Sequence, residues 1–174
     1  MTVRGYARIV PLLWVGMLLA GMMMLPAVAS AQDAAPAAAA EVNNPLKDLL
    51  DKTGLKYKKL DDESWIVPFD AKEGETLDVY LTYNDSNRKF ALVFSTVVDK
   101  EDNYNFPKEA LVEAMKLNND FPGVKFCLDI DHGDIDVQTE ALMQTLTPET
   151  LTMFVNLVAQ MADDNAKKLN DLVR

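Results

Sequence analysis

PKEALVEAMKLNNDFPGVKFCLDIDHGDIDVQTEAL, residues 107–142, decides the fold. Pro107 opens a helical stretch that runs to Asp120, and Phe121-Pro122-Gly123 breaks it. Val124, Phe126, Leu128 and Ile130 then alternate with mostly polar residues. Ile135, Val137, Thr139 and Ala141 alternate in the run that returns. Period-two spacing puts each set on one face of a strand. His132-Gly133 between the runs fits a two-residue hairpin loop, where glycine takes φ > 0 at little cost. That register opposes Asp131 to Asp134, Ile130 to Ile135, Asp129 to Asp136 and Leu128 to Val137. One face becomes apolar, and the other gathers Asp129, Asp131, Asp134 and Asp136. Helix, break and hairpin form a scaffold with no reaction written into it.

Upstream, four short runs read as strands. Lys56–Leu60 is the first. Trp65, Val67 and Phe69 alternate in the second, with Pro68 pointing to an edge or a bulge. Leu77, Val79, Leu81 and Tyr83 alternate in the third. The fourth, with Phe90, Leu92 and Phe94 on one face and Val93 and Val97 on the other, is apolar on both sides and belongs in the middle of a sheet. Trp65, Phe90, Phe94, Phe126 and Phe154 are expected to point inward. Tyr80 is expected on the opposite face, with Val93 and Val97. Before these strands, Asn44 caps and Pro45 opens a helix that Gly54 ends. After the hairpin, Thr147, Pro148 and Glu149 start a long helix. Its stripe of Leu151, Phe154, Val155, Val158, Met161, Ala162, Leu169 and Leu172 carries it to about residue 172, with a polar second half expected to project past the sheet.

The chain begins with Arg4 and Arg8, an apolar stretch from Ile9 to Leu25, and small residues at Ala29 and Ala31. This is the pattern of a secretory signal peptide cleaved after Ala31. Residues 32–43 form an Ala/Pro-rich linker with too little apolar surface to offset ordering. Residues 44–174 form one domain. Without Arg4 and Arg8 there remain 15 of the 17 basic residues against 27 acidic ones, a formal charge of −12. Such a surface repels nucleic acid and anionic lipid, so neither is expected as a partner once the signal is removed. The single cysteine, Cys127, permits no internal disulfide.

Little in the chain carries chemistry. His132 lies in a turn and Cys127 lies well back from it, so a Cys–His catalytic pair lacks its geometry. There is no zinc-protease helix, paired-cysteine motif, phosphate loop or calcium-binding EF-hand loop. No catalytic residue and no cofactor are assigned. Asp129, Asp131, Asp134 and Asp136 are the one constellation that suits a hard divalent cation. The plainer account is four solvated carboxylates whose mutual repulsion raises their pKa values.

The order of elements resembles the YbjN family, whose fold is like that of type III secretion chaperones. The resemblance spans residues 44–172. It rests on the Leu46-x-x-Leu49-Leu50 helix with Gly54, the Trp65-x-Val67-x-Phe69 strand, the Leu111-to-Asn118 helix, the Phe126-x-Leu128 strand, the acidic glycine turn and the terminal helix. It implies an α+β domain, an antiparallel sheet of about five to six strands with three helices in the order α-β-β-β-β-α-β-β-α. It implies a homodimer that binds another protein, in a chaperone-like role without enzyme activity. The signal peptide departs from it, because secretion chaperones of this fold work in the cytoplasm. The expectation is therefore an exported, non-enzymatic protein-binding module in the periplasm or outside the cell. A periplasmic protein binding a divalent cation through the aspartate hairpin is the second expectation.

Overall fold

Asn44 caps the first helix, α1 (Pro45–Thr53), by accepting a hydrogen bond from the Lys47 N–H at 3.3 Å. Gly54, at φ 74°, ends it in the left-handed conformation that glycine adopts without strain. Leu46 and Leu50 on its inner face are fully buried. The computed structural model describes residues 43–72, 74–99, 106–130 and 132–173. The expected leader and nearly all of the linker lie outside the described residues, which begin at Asn43.

The strands are β1 (Lys58–Lys59), β2 (Trp65–Asp70), β3 (Thr76–Tyr83), β4 (Phe90–Val98), β5 (Lys125–Asp129) and β6 (Asp134–Leu142). They form one sheet in the order β1-β2-β3-β4-β6-β5, and every neighbouring pair is antiparallel. With α1, α2 (Lys108–Asp120) and α3 (Pro148–Val173), the described residues give the α-β-β-β-β-α-β-β-α order that the sequence implies. A short 3-10 turn at Met143–Thr145, which the sequence reading does not anticipate, leads into α3.

All three helices pack on one face of the sheet. Trp65, Val67, Val79, Leu81, Ala91, Val93, Val97, Phe126, Ile135 and Val137 point into that core. Each fully buried leucine or valine there contributes about 1.5–3 kcal/mol relative to exposure. Alpha3 supplies Leu151, Val155, Val158, Ala162 and Leu169. Thr147 caps it by accepting from the Thr150 N–H at 3.2 Å. The second half of α3 does not project past the sheet. Leu169 is fully buried, and the Asn170 amide donates to the Val97 carbonyl at 2.8 Å, where β4 is irregular between Thr96 and Val98.

Two expectations are corrected. The faces of β4 are the reverse of those predicted: Ala91, Val93, Ser95 and Val97 point into the core, while Phe90, Leu92 and Phe94 point away from it. The cause is register. Leu81 pairs with Val93 and Tyr83 with Ala91, and cross-strand partners share a face. Small Ala91 and Ser95 also leave room for α3, which rings at those positions would not. The hairpin is the second correction. Beta5 stops at Asp129 and β6 starts at Asp134, so four residues separate the strands in place of two. Asp129 pairs with Asp134, Leu128 with Ile135, Cys127 with Asp136 and Phe126 with Val137. The shift is two residues, so each side chain keeps its predicted face while every partner changes. Ile130 falls beyond the strand and is 70% exposed, and Leu128, expected in the core, is 40% exposed.

Candidate functional site

The face of the sheet away from the helices carries the most distinctive surface. In one row Ile66 pairs with Tyr80, Tyr80 with Phe94, Phe94 with Gln138 and Gln138 with Lys125. Tyr80 and Phe94 stack with ring centroids 5.0 Å apart. Beside that row Thr82 pairs with Leu92, and Leu92 with Glu140; next comes the pair Phe90 and Leu142. Phe90 is 40% and Leu142 39% exposed, and Ile66, Tyr80, Leu92 and Phe94 are half-buried by their own neighbours. None of these six side chains belongs to the core cluster, and no described helix lies over them. A shallow depression of about 400 Å³, lined by Lys125, Cys127, Gln138 and Glu140 among others, continues the face toward β5.

Three of the four aspartates singled out by sequence also lie on this side of the hairpin; Asp131 is outside the described residues. Asp129 accepts from the His132 backbone N–H at 3.2 Å, and its Oδ2 meets the His132 ring Nδ1 at 2.9 Å. Asp134 sits opposite Asp129. Asp136 is set apart. It is half-buried between Thr96 of β4 and Cys127 of β5, and the Thr96 hydroxyl donates to its Oδ1 at 2.8 Å. Burial first, with Asp134 and Asp129 adding repulsion, raises its pKa to about 6. Among the described residues, no three His, Cys, Asp or Glu side chains stand together as a metal-holding group.

Cys127 and His132 are not brought together. Cys127 is paired within the sheet and His132 lies in the turn. Burial, then Asp136 and Glu140, push the Cys127 thiol up, away from the thiolate a nucleophile needs.

A second surface lies at the β5 edge. Met115 on α2 is 72% exposed, and Val112 is exposed beside it. Leu128 and Ile130 extend this apolar corner from the strand side. At the same edge, the Asn118 side chain accepts from the Phe126 N–H at 2.6 Å and donates to the Phe126 carbonyl at 3.0 Å. It occupies both backbone groups that a further strand would use there.

The sequence points to the aspartates and to Tyr80 on the far face of β3, as a patch either under the second helix or open to a partner. It assigns Phe90 and Phe94 to the core and Val93 and Val97 to that patch, the reverse of what the structure has. The doubly apolar character of β4 was the available signal.

No family model matches the chain, and no curated protein matches it. Among solved structures, the chain is similar to the ExsC–ExsE complex, at 18% identity and a TM-score of 0.49, over 71% of this chain and 92% of that one. It is similar to the HopA1–SchA chaperone–effector complex, at 16% identity and a TM-score of 0.49, over 73% and 94%. It is also similar to YbjN from E. coli, at 19% identity and a TM-score of 0.46, over 71% and 89%.

Proposed function

We propose that this chain is an exported, chaperone-like module that holds another protein on the outer face of its sheet and pairs with a second copy of itself through the α2–β5 corner. The support is the uncovered row Ile66, Tyr80, Phe94, with Leu92, Phe90 and Leu142 beside it. A contiguous apolar face on a soluble domain marks an interaction surface. Met115, Leu128 and Ile130 form a separate apolar corner suited to self-association.

Export rests on the Arg4/Arg8, apolar and Ala-x-Ala pattern of the first 31 residues. N-terminal sequencing of protein from the exported fraction should return Gln32 or a close neighbour. Recovery of Met1 would mean the segment is retained.

Binding is tested by placing a photo-activated cross-linking amino acid at Leu92, at Met115 and, as a control, at exposed Glu149 in growing cells. Leu92 should capture a different protein and Met115 a second copy of the chain. Identical adducts at Leu92 and Glu149 would defeat the assignment of the outer face.

A further inference from the structure

The outer face is not uniformly apolar, and its charge is unevenly placed. Carboxylates lie within it: Asp136 on β6, Glu140 four residues along, and Asp78 on β3, close enough with Asp136 to act on the Tyr80 hydroxyl. The lysines on this face, Lys58 and Lys125, sit on the two outermost strands. Glu140 already accepts from the Asn84 amide at 2.5 Å. Asp136 has one oxygen held by Thr96, and among the described residues no donor reaches Oδ2. A carboxylate partly removed from water with an unfilled acceptor is a poor solvated charge and a good partner for a cation. Phe94 pairs with Gln138, two residues from Asp136, so Phe94 and Asp136 are diagonal neighbours about 7–8 Å apart.

We propose that the outer face takes a protein segment that presents an aromatic or aliphatic side chain next to a lysine or arginine, with the apolar group lying along Leu92, Phe94 and Tyr80 and the cation paired with Asp136. This rests on the docking role given above to the same face, and it names what docks. A second copy does not fit there. Two such faces would bring the carboxylates of Asp78, Asp136 and Glu140 in one copy toward those of the other, with the lysines held on the outermost strands, and like charges so gathered oppose pairing. Anionic lipid and nucleic acid are repelled by a chain of formal charge −10.

The geometry also makes the contact pH-dependent. The groups facing Asp136 are Thr96 on β4, Cys127, Lys125 and Asp129 on β5, Asp134 on β6, His132 in the turn, and Asp78 with Tyr80 on β3. With its pKa at about 6, Asp136 is charged at neutral pH and becomes neutral as pH falls through that value. The cationic segment is therefore released on acidification.

Two dye-labelled peptides of equal length serve as probes, one alternating Phe and Leu with Lys, the other with Glu in place of Lys. Anisotropy titrations use the full chain at physiological ionic strength, with melting curves to confirm that each variant is folded. The Lys peptide should bind and the Glu peptide should not. Asp136→Asn, which keeps the Thr96 bond and the size of the side chain, should weaken the Lys peptide by about tenfold, the scale of one partly desolvated charge pair. Phe94→Ala should weaken it as well. Asp171→Asn, the same charge change on the far end of α3, should leave it unaltered. Wild-type affinity should fall as pH drops through about 6, and the Asp136→Asn protein should lose that dependence. Equal binding of both peptides with loss in Phe94→Ala would overturn the cation preference and keep the docking face. Lys-peptide binding weakened equally by Asp136→Asn and Asp171→Asn would mean general attraction to an acidic chain, and would overturn the proposal. No binding of either peptide would overturn it too, while cross-linking at Leu92 still reports on the docking role.

Discussion

Asp136 opposes the fold at neutral pH. Its folded pKa of about 6 lies above the ordinary 3.8, so the folded chain holds this proton more tightly than the unfolded one. Stability then falls as pH rises from about 4 through 6, and above that the full penalty is present. Asp136→Asn should therefore stabilise the protein at neutral pH by about 1–2 kcal/mol, allowing for water that reaches this half-buried face. The advantage should shrink as pH falls through 6 and vanish near 4; melting of both proteins across that range checks it. An advantage that grew on acidification would contradict the assigned burial. The sequence flagged the aspartates for mutual repulsion, whereas burial is the larger cause at Asp136. Position 136 is buried by Thr96, forty residues earlier in the chain, and no local pattern announces such a partner. Asn44 is the opposite case, legible as a helix cap from its neighbour Pro45 alone. Its second role is not legible: the Tyr83 hydroxyl donates to Asn44 Oδ1 at 2.7 Å and accepts from the Leu46 N–H at 3.0 Å. Asn44→Ala should cost about 1–2 kcal/mol in denaturant unfolding, through the lost cap and the orphaned hydroxyl.

At the scale of elements, the hairpin separates what period can fix from what it cannot. Alternation fixes which side chains share a face, and those assignments hold for β5 and β6. It does not fix loop length, and two extra residues on the β5 side of the turn moved every cross-strand pair. Truncation should show the difference. Phe126→Ala should cost about 2–5 kcal/mol, the range for a large core side chain. Leu128→Ala, at a position 40% exposed, should cost less than about 1.5 kcal/mol, because much of the side chain already meets water. Equal losses in the two variants, read from denaturant midpoints, would restore the two-residue loop. Beta4 teaches the complementary point: a strand apolar on both sides carries no period to choose its inner face. That choice is made by its pairing with β3 and by the close passage of α3. The long stripe of α3 has no such ambiguity, and its extent is read almost to the residue.

Over the whole molecule, the order of helices and strands is legible because each boundary has its own chemical mark: Asn44-Pro45, Gly54, Phe121-Pro122-Gly123, Thr147-Pro148. Which sheet face the helices would leave bare is not, because coverage depends on all of them at once. The self-association proposed for the α2–β5 corner is tested by light scattering at micromolar concentration. The wild type should run as a dimer, and Met115→Glu with Ile130→Glu as a monomer with little change in melting temperature, since both positions are at least 70% exposed. A wild-type monomer would remove the second copy from the scheme. Such a pair must also stop at two, and Asn118 bears on that. A sheet whose rim can accept one more strand can accept it indefinitely, and identical chains added head to tail at that rim would grow into a ribbon. By filling the hydrogen-bonding positions of Phe126 with its own amide, Asn118 interrupts that open row within β5, where a further strand would have to pair. Asn118→Ala should thus show itself less in thermal stability than in solution behaviour, as slow, concentration-dependent fibre formation from a chain that still folds.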